Sequence, residues 1–123
     1  MSKVLIVEDE APIASMYQFK LEKSGHAVRC AYNGEEGLRE AEKFRPALIL
    51  LDLRMPVMNG EIMLEKVRKT VWGSNIRVII LTNISKAEAP SQLRFLDVDR
   101  YIVKAHHTPT QVAAIVDEVL EES

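Results

Sequence analysis

The sequence predicts an α/β fold, a doubly wound sheet of five parallel strands with helices on both faces. Three observations predict it. Short, nearly unbroken apolar runs recur at residues 4–7, 47–51 and 77–81, the pattern of strands buried on both faces rather than half-exposed. Stretches of helical period separate these runs, and strand–helix–strand alternation calls for right-handed crossovers and a parallel sheet covered on both sides. The apolar runs also end abruptly in polar residues, as strands do where an open sheet gathers its reactive groups along one edge.

Each element has its own signal. Residues 4–7 form the first strand and end in Glu8-Asp9-Glu10. Pro12 suits the first turn of a helix whose buried stripe is Ile13, Met16, Tyr17 and Leu21, closed by Gly25. Residues 27–31 read as the second strand, followed by Asn33 as N-cap with Glu36 three positions on. Leu38, Ala41 and Phe44 are the buried stripe of that helix, and Pro46 stops it. Ala47-Leu48-Ile49-Leu50-Leu51 is the central strand, delivering Asp52 into a Met-Pro and Asn-Gly turn region. Met63, Leu64 and Val67 mark a third helix ending near Trp72-Gly73, and residues 77–81 form a fourth strand that delivers Thr82-Asn83. Residues 84–97 predict a short fourth helix beginning near Ala89, because Pro90 is tolerated in a first turn but not inside a helix begun at Ser85. Tyr101-Ile102-Val103 is a brief fifth strand, followed by Lys104. Thr108-Pro109-Thr110-Gln111 combines an N-cap, a proline at the first position and a capping-box Gln, and Val112, Ile115, Val116, Val119 and Leu120 make the stripe of the last helix.

Composition narrows the function classes. At 123 residues, with 47% hydrophobic and 28% charged residues, the chain fits one globular domain with a full core, and residues 1–123 show no linker, repeat or second domain. Sixteen Lys and Arg against 18 Asp and Glu leave no basic field to attract nucleic acid directly. The sequence shows no signal-peptide pattern and no apolar stretch near the roughly 20 residues a membrane helix needs, which points to a cytoplasmic protein. Cys30, the single cysteine, reads as a small core residue.

The carboxyl edge of the predicted sheet collects Glu8, Asp9 and Glu10 after the first strand, Asp52 after the third, Thr82 after the fourth and Lys104 after the fifth. Taken singly these are ordinary turn, cap and surface residues. Together they are coherent. Glu8, Asp9 and Asp52 in one place repel one another unless a hard cation neutralises them, and all-oxygen ligands suit Mg²⁺ or Mn²⁺ with waters and a phosphate completing the shell. Lys104 adds a positive charge, Thr82 a hydroxyl, and Asp52 a nucleophile, which describes a cradle for a phosphoryl group.

With these residues in view, the chain resembles the receiver domains of bacterial two-component response regulators, of CheY-like type. The resemblance rests on Val-Leu-Ile-Val-Glu8-Asp9, Leu-Leu-Asp52-Leu-Arg-Met-Pro-Val-Met-Asn-Gly60, Ile-Ile-Leu-Thr82 and Tyr101-Ile-Val-Lys104, spaced 43, 30 and 22 residues apart from Asp9 to Asp52 to Thr82 to Lys104. It implies a flavodoxin-like strand order 2-1-3-4-5. It also implies that Asp52 takes a phosphoryl group from a histidine kinase, a phosphotransfer protein or a small phosphodonor, in a domain that catalyses its own modification without being an enzyme in the usual sense. Asp9, Asp52 and the backbone carbonyl of Arg54 would hold Mg²⁺, Glu8 would act through water, and Lys104 would offset phosphoryl charge. Thr82 and Tyr101 would form a switch read out on a face built from the fourth helix, fifth strand and fifth helix, through which a downstream protein or a second copy would dock. Three features depart from the family pattern: Ala105 stands where proline usually follows the lysine, Asn83 where a small residue usually follows the threonine, and Pro90 lies within the segment corresponding to the fourth helix, with Asp97-Val98-Asp99-Arg100 where a glycine-containing turn is common.

A competing class is a phosphorylation-independent pseudo-receiver, a protein-binding module of the same fold, against which the full set Glu8, Asp9, Asp52, Thr82 and Lys104 argues. A flavodoxin-like cofactor carrier would need a phosphate-binding backbone after the first strand, where Glu8-Asp9-Glu10 would repel the phosphate. An aspartate-nucleophile phosphatase would carry paired aspartates, and Asp52-Leu53-Arg54 has only one. His106-His107 reads as a solvated loop rather than a metal pair.

Overall fold

The computed structural model describes residues 1–122. Strands β1 (Lys3–Val7), β2 (Ala27–Ala31), β3 (Leu48–Leu51), β4 (Arg77–Thr82) and β5 (Arg100–Val103) form one sheet in the order β2-β1-β3-β4-β5, every neighbouring pair parallel. Helices α1 (Ala11–Lys23), α2 (Gly34–Phe44) and α3 (Gly60–Arg68) provide the first three crossovers, residues 84–97 make the fourth, and α4 (Pro109–Glu121) follows β5; the four helices cover both faces. The expected doubly wound architecture and strand order 2-1-3-4-5 are both present.

Burial explains why the central strands lack polar alternation. In β1 and β3 successive side chains point to opposite faces, and both faces are covered. Leu5, Val7, Ile49, Leu51, Val78 and Ile80 pack with Ala41, Phe44, Met63, Leu64 and Val67 on the α2/α3 side. Val4, Ile6, Leu48, Leu50, Ile79 and Leu81 pack with Tyr17, Leu21, Val112 and Val116 on the α1/α4 side. The expected caps are real: Asn33 accepts from Glu36 N–H at 2.8 Å, and Thr108 and Gln111 form a reciprocal capping box.

Three features differ from the sequence reading. Met16 faces solvent, and Ala14 takes its place in the buried stripe of α1. Helix α3 stops at Arg68 rather than near Trp72, because the Arg68 guanidinium turns back onto the carbonyls of Gly73, Ile76, Leu96 and Asp97 and binds the following turns instead of letting the helix continue. The fourth helix is not an α-helix. Residues 84–97 form two short 3₁₀ turns, Lys86–Glu88 and Ser91–Phe95, separated at Pro90 and ended by Asp97 in the left-handed region at φ 54°. Pro90 has no N–H to continue a ladder begun at Ser85, and Leu93 is the one fully buried side chain of the segment, too little to hold a longer helix on the sheet. The last helix is therefore α4 rather than a fifth.

Strand register positions the site. Val7 pairs with Leu51 and Leu51 with Ile80, so Glu8 and Asp52 leave their strands at one level. Thr82 pairs with Val103, which brings Lys104 to the same edge. At the opposite, amino edge, Arg45 stacks over Trp72 at 5.3 Å. Among the described residues no helix is long and apolar enough to cross a membrane.

Candidate functional site

The ends of β1, β3, β4 and β5 bring Glu8, Asp52, Thr82 and Lys104 around one cavity, with Asp9 at its rim. Asp52 is 7% exposed and Glu8 3%. Asp52 Oδ1 accepts from the Leu53 N–H at 2.7 Å, and its Oδ2 lies 3.2 Å from Lys104 Nζ. Lys104 Nζ also donates to Glu8 Oε1, while Glu8 Oε2 accepts from the Glu10 N–H at 3.0 Å. One ammonium thus serves two buried carboxylates. Lys104 comes from a single 3₁₀ turn, Lys104–His106, directly after β5, and its peptide bond to Ala105 is trans like every other among the described residues.

The charges tune each other. Burial pushes the Glu8 carboxyl above its ordinary value, outweighing the Lys104 ammonium and the Glu10 N–H, which pull it down. Burial works against the Lys104 ammonium, but the hydrogen bond to Glu8 and the charge of Asp52 outweigh it and hold the group above the ordinary lysine value.

Carboxylate oxygens of Glu8, Asp9 and Asp52 lie within 4.8 Å of one another, two of the residues buried and Asp9 exposed. This all-oxygen set open to solvent on one side fits a hard divalent cation that keeps part of its water shell. The cavity above it, about 380 Å³, is also lined by Arg54, Thr82, Asn83 and Glu88. A larger cavity of about 640 Å³ lies against residues 86–101 and contains none of the acids of this cluster.

The loop after β3 is built to hold Asp52 and Arg54 in place. The Gly60 N–H donates to Leu53 O at 2.9 Å, and a Cβ on Gly60 would sit 2.1 Å from Asp52 O, so no larger residue fits. Asn59 caps α3 by accepting from Ile62 N–H at 3.1 Å. Between them the Met58 N–H donates to Pro56 O at 2.7 Å across Val57, whose φ of 69° is a strained value for a β-branched side chain. The Met58 carbonyl in turn accepts from Gly34 N–H at 3.0 Å, tying the loop to the start of α2.

Thr82 is fully buried, and its Oγ1 accepts from Ile84 N–H at 3.4 Å. The Ile84 carbonyl accepts from the Tyr101 hydroxyl at 2.7 Å, so Ile84 joins Thr82 to Tyr101 through its own peptide groups. Burial pushes the Tyr101 phenol up, with the charges of Asp52 and Glu88 adding to it. The sequence reading missed Glu88, and only Ser85 three positions before it, whose hydroxyl donates to the Glu88 carboxylate at 3.0 Å, hinted that this acid is held. His106 and His107 take no part in the acid cluster. Cys30 is half-buried, its thiol 3.4 Å from the Gln18 side-chain oxygen and pushed up by burial.

A doubly wound domain whose carboxyl edge holds three clustered carboxylates, a buried threonine and a lysine is a signalling module of the flavodoxin-like class. The family model for the response regulator receiver domain matches residues 4–116, and the chain belongs to that family. It is 33% identical to the alkaline phosphatase synthesis transcriptional regulatory protein PhoP of Bacillus subtilis, over 98% of this chain and 49% of that protein. Among solved structures it matches a CheY-like response regulator receiver domain protein from Methanospirillum hungatei at 29% identity and TM-score 0.88, covering 99% of this chain and 95% of that one. The chemotaxis response regulator CheY4 of Vibrio cholerae matches at 28% identity and TM-score 0.88, covering 97% and 98%. The chain spans about half the length of the curated relatives it matches.

Proposed function

We propose that residues 1–123 act as a single cytoplasmic receiver domain in which Asp52 is the phosphoacceptor, supplied by a histidine kinase or phosphotransfer protein. The observation that carries this reading is the convergence of the Glu8, Asp9 and Asp52 oxygens within 4.8 Å, with Lys104 Nζ 3.2 Å from Asp52 Oδ2. A carboxylate oxygen of Asp52 attacks phosphorus, the phosphorus–nitrogen bond of the donor phosphohistidine breaks, and the imidazole leaves with its electron pair and takes up a proton. Lys104, already beside Asp52, offsets charge on the transferring group, and a preorganised ammonium in a buried site needs no reorganisation to do so. Asp9, Asp52 and the Arg54 carbonyl would hold Mg²⁺ or Mn²⁺, with Glu8 acting through water; when bound, the ion neutralises the carboxylates and phosphoryl oxygens together. The Leu53 N–H fixes the rotamer of Asp52 for attack.

The new charge on Asp52 biases the Thr82–Ile84–Tyr101 connection. Turning the Thr82 hydroxyl onto a phosphoryl oxygen gives up its weak acceptor role toward Ile84 N–H and loosens the segment that Tyr101 holds. The readout face is residues 84–97, β5 and α4, offered to a downstream protein or to a second copy as a homodimer. The name of the curated relative, a transcriptional regulatory protein, supports a downstream partner in transcription.

The test is intact mass after incubation with acetyl phosphate and Mg²⁺, for the native chain and Asp52→Asn. A phosphate-sized gain confined to the native chain is the expected result. No gain in either, with Mg²⁺ binding demonstrated, sinks this reading and leaves a phosphorylation-independent binding module.

A further inference from the structure

We propose that Glu88 is the general base that orients and deprotonates the water hydrolysing the Asp52 acyl phosphate, so that this chain sets its own phosphate lifetime from the 3₁₀ turn after β4. This rests on Asp52 being the phosphoacceptor.

Asp52 lies at the floor of the 380 Å³ cavity, with one carboxylate oxygen engaged by Leu53 N–H and the other facing Lys104. Hydrolysis with cleavage of the phosphorus–Asp52 bond needs a water in line with that bond, arriving from the open side of the cavity. The exposed polar side chains lining the cavity are Asp9, Glu10, Arg54, Asn83 and Glu88. A guanidinium has no acceptor and a side-chain amide is a poor base, which leaves three carboxylates. Asp9 belongs to the metal cluster, and Glu10 directly follows it. Glu88 lies on the Thr82 side, and among the described residues its carboxylate has no cation within ion-pair distance; it accepts from the Ser85 hydroxyl at 3.0 Å, which leaves lone pairs free for a water. Its place at the mouth follows from the fold. The Glu88 N–H donates to Ser85 O at 3.0 Å, closing a tight turn that stops at Pro90, so the acid comes back over the residues that follow Thr82.

The step balances. Water oxygen bonds to phosphorus, the phosphorus–oxygen bond to Asp52 breaks, and Asp52 leaves as the free carboxylate. One water proton passes to Glu88 and then to solvent, and the product is inorganic phosphate.

The experiment labels the full chain with acetyl phosphate and Mg²⁺, removes the donor, and follows loss of the phosphoryl mass together with release of inorganic phosphate. Glu88→Gln, isosteric and exposed, is expected to slow decay about a hundredfold, at the low end for a positioned base. Ser85→Ala, which frees the carboxylate, falls in between, and Lys86→Ala, in the same turn, decays like the native chain. The difference persists at about 1 M salt, where screening shrinks to roughly 3 Å and a plain charge effect disappears. Unchanged or faster decay in Glu88→Gln overturns the proposal, as does a difference that vanishes in salt. A native chain that gains no phosphoryl mass overturns the phosphoacceptor reading itself, an outcome distinct from labelled protein with unaltered decay.

Discussion

Replacing Lys104 by Met keeps the apolar stem and removes the ammonium that Glu8 and Asp52 share. Both carboxylates are buried and the Lys104 side chain is 11% exposed, so water replaces the ammonium only in part. At an effective dielectric of about 20, two unit charges 3.2 Å apart interact by roughly 5 kcal/mol, a gross figure that excludes desolvation. Measured losses on removing one partner of a buried pair run about 3–5 kcal/mol, because the other charge is stranded. Without divalent cations we therefore expect Lys104→Met to lose about 3 kcal/mol of unfolding free energy or more. The same vacancy frees Glu8 and Asp52 for a cation. Ligand at 100 times its dissociation constant adds about 2.7 kcal/mol to the folded state, and the variant, with tighter metal binding, should gain more from a fixed Mg²⁺ concentration than the native chain. Urea unfolding followed by circular dichroism, with chelator and with Mg²⁺, reads both quantities. A loss below about 1 kcal/mol in chelator, the level of an exposed pair, refutes the shared-ammonium account. So does an equal Mg²⁺ increment in the two proteins.

Other outcomes follow from single features. Without divalent cations, Glu8 binds its proton more tightly folded than unfolded, because burial raises its carboxyl, so its contribution to stability falls as pH rises from the ordinary glutamate value through the raised one. Glu8→Gln should flatten that fall in pH-dependent urea midpoints, and an unchanged slope would refute the assignment. Gly60→Ala places a Cβ 2.1 Å from Asp52 O, against backbone that cannot rotate away; a cost of about 1–3 kcal/mol and a lower rate of Asp52 phosphorylation are expected, and native stability would refute the packing. Trp72 lies at the amino edge beneath Arg45, so its fluorescence should respond little to Mg²⁺, and strong quenching would contradict its placement.

The acid cluster was legible in the sequence because it needs only strand ends and chemistry. Once residues 4–7, 47–51 and 77–81 are buried strands of one parallel sheet, Glu8, Asp52 and Thr82 have little choice but to meet, and the register of Val7, Leu51 and Ile80 does the rest. The segment from 84 to 97 obeys no such local rule. Its one signal, Pro90, suits the first turn of a helix beginning near Ala89, yet the conformation is decided elsewhere: Arg68, on α3, holds the carbonyls of Leu96 and Asp97 from 28 and 29 residues away, and Tyr101 holds Ile84 from β5. Val57 fails for a related reason. Nothing in Met-Pro-Val-Met asks for a positive φ, and a β-branched residue argues against one; the turn is imposed by Gly34 and Gly60, which bind the loop from either side. Local pattern therefore placed the residues that define the acidic pocket, whereas the segment that lines its mouth with Glu88 is shaped by contacts no short window of sequence contains. If Glu88 times the loss of phosphate, the lifetime of the signal is set in the part of the chain least readable from sequence, and the capacity to receive it in the part most readable.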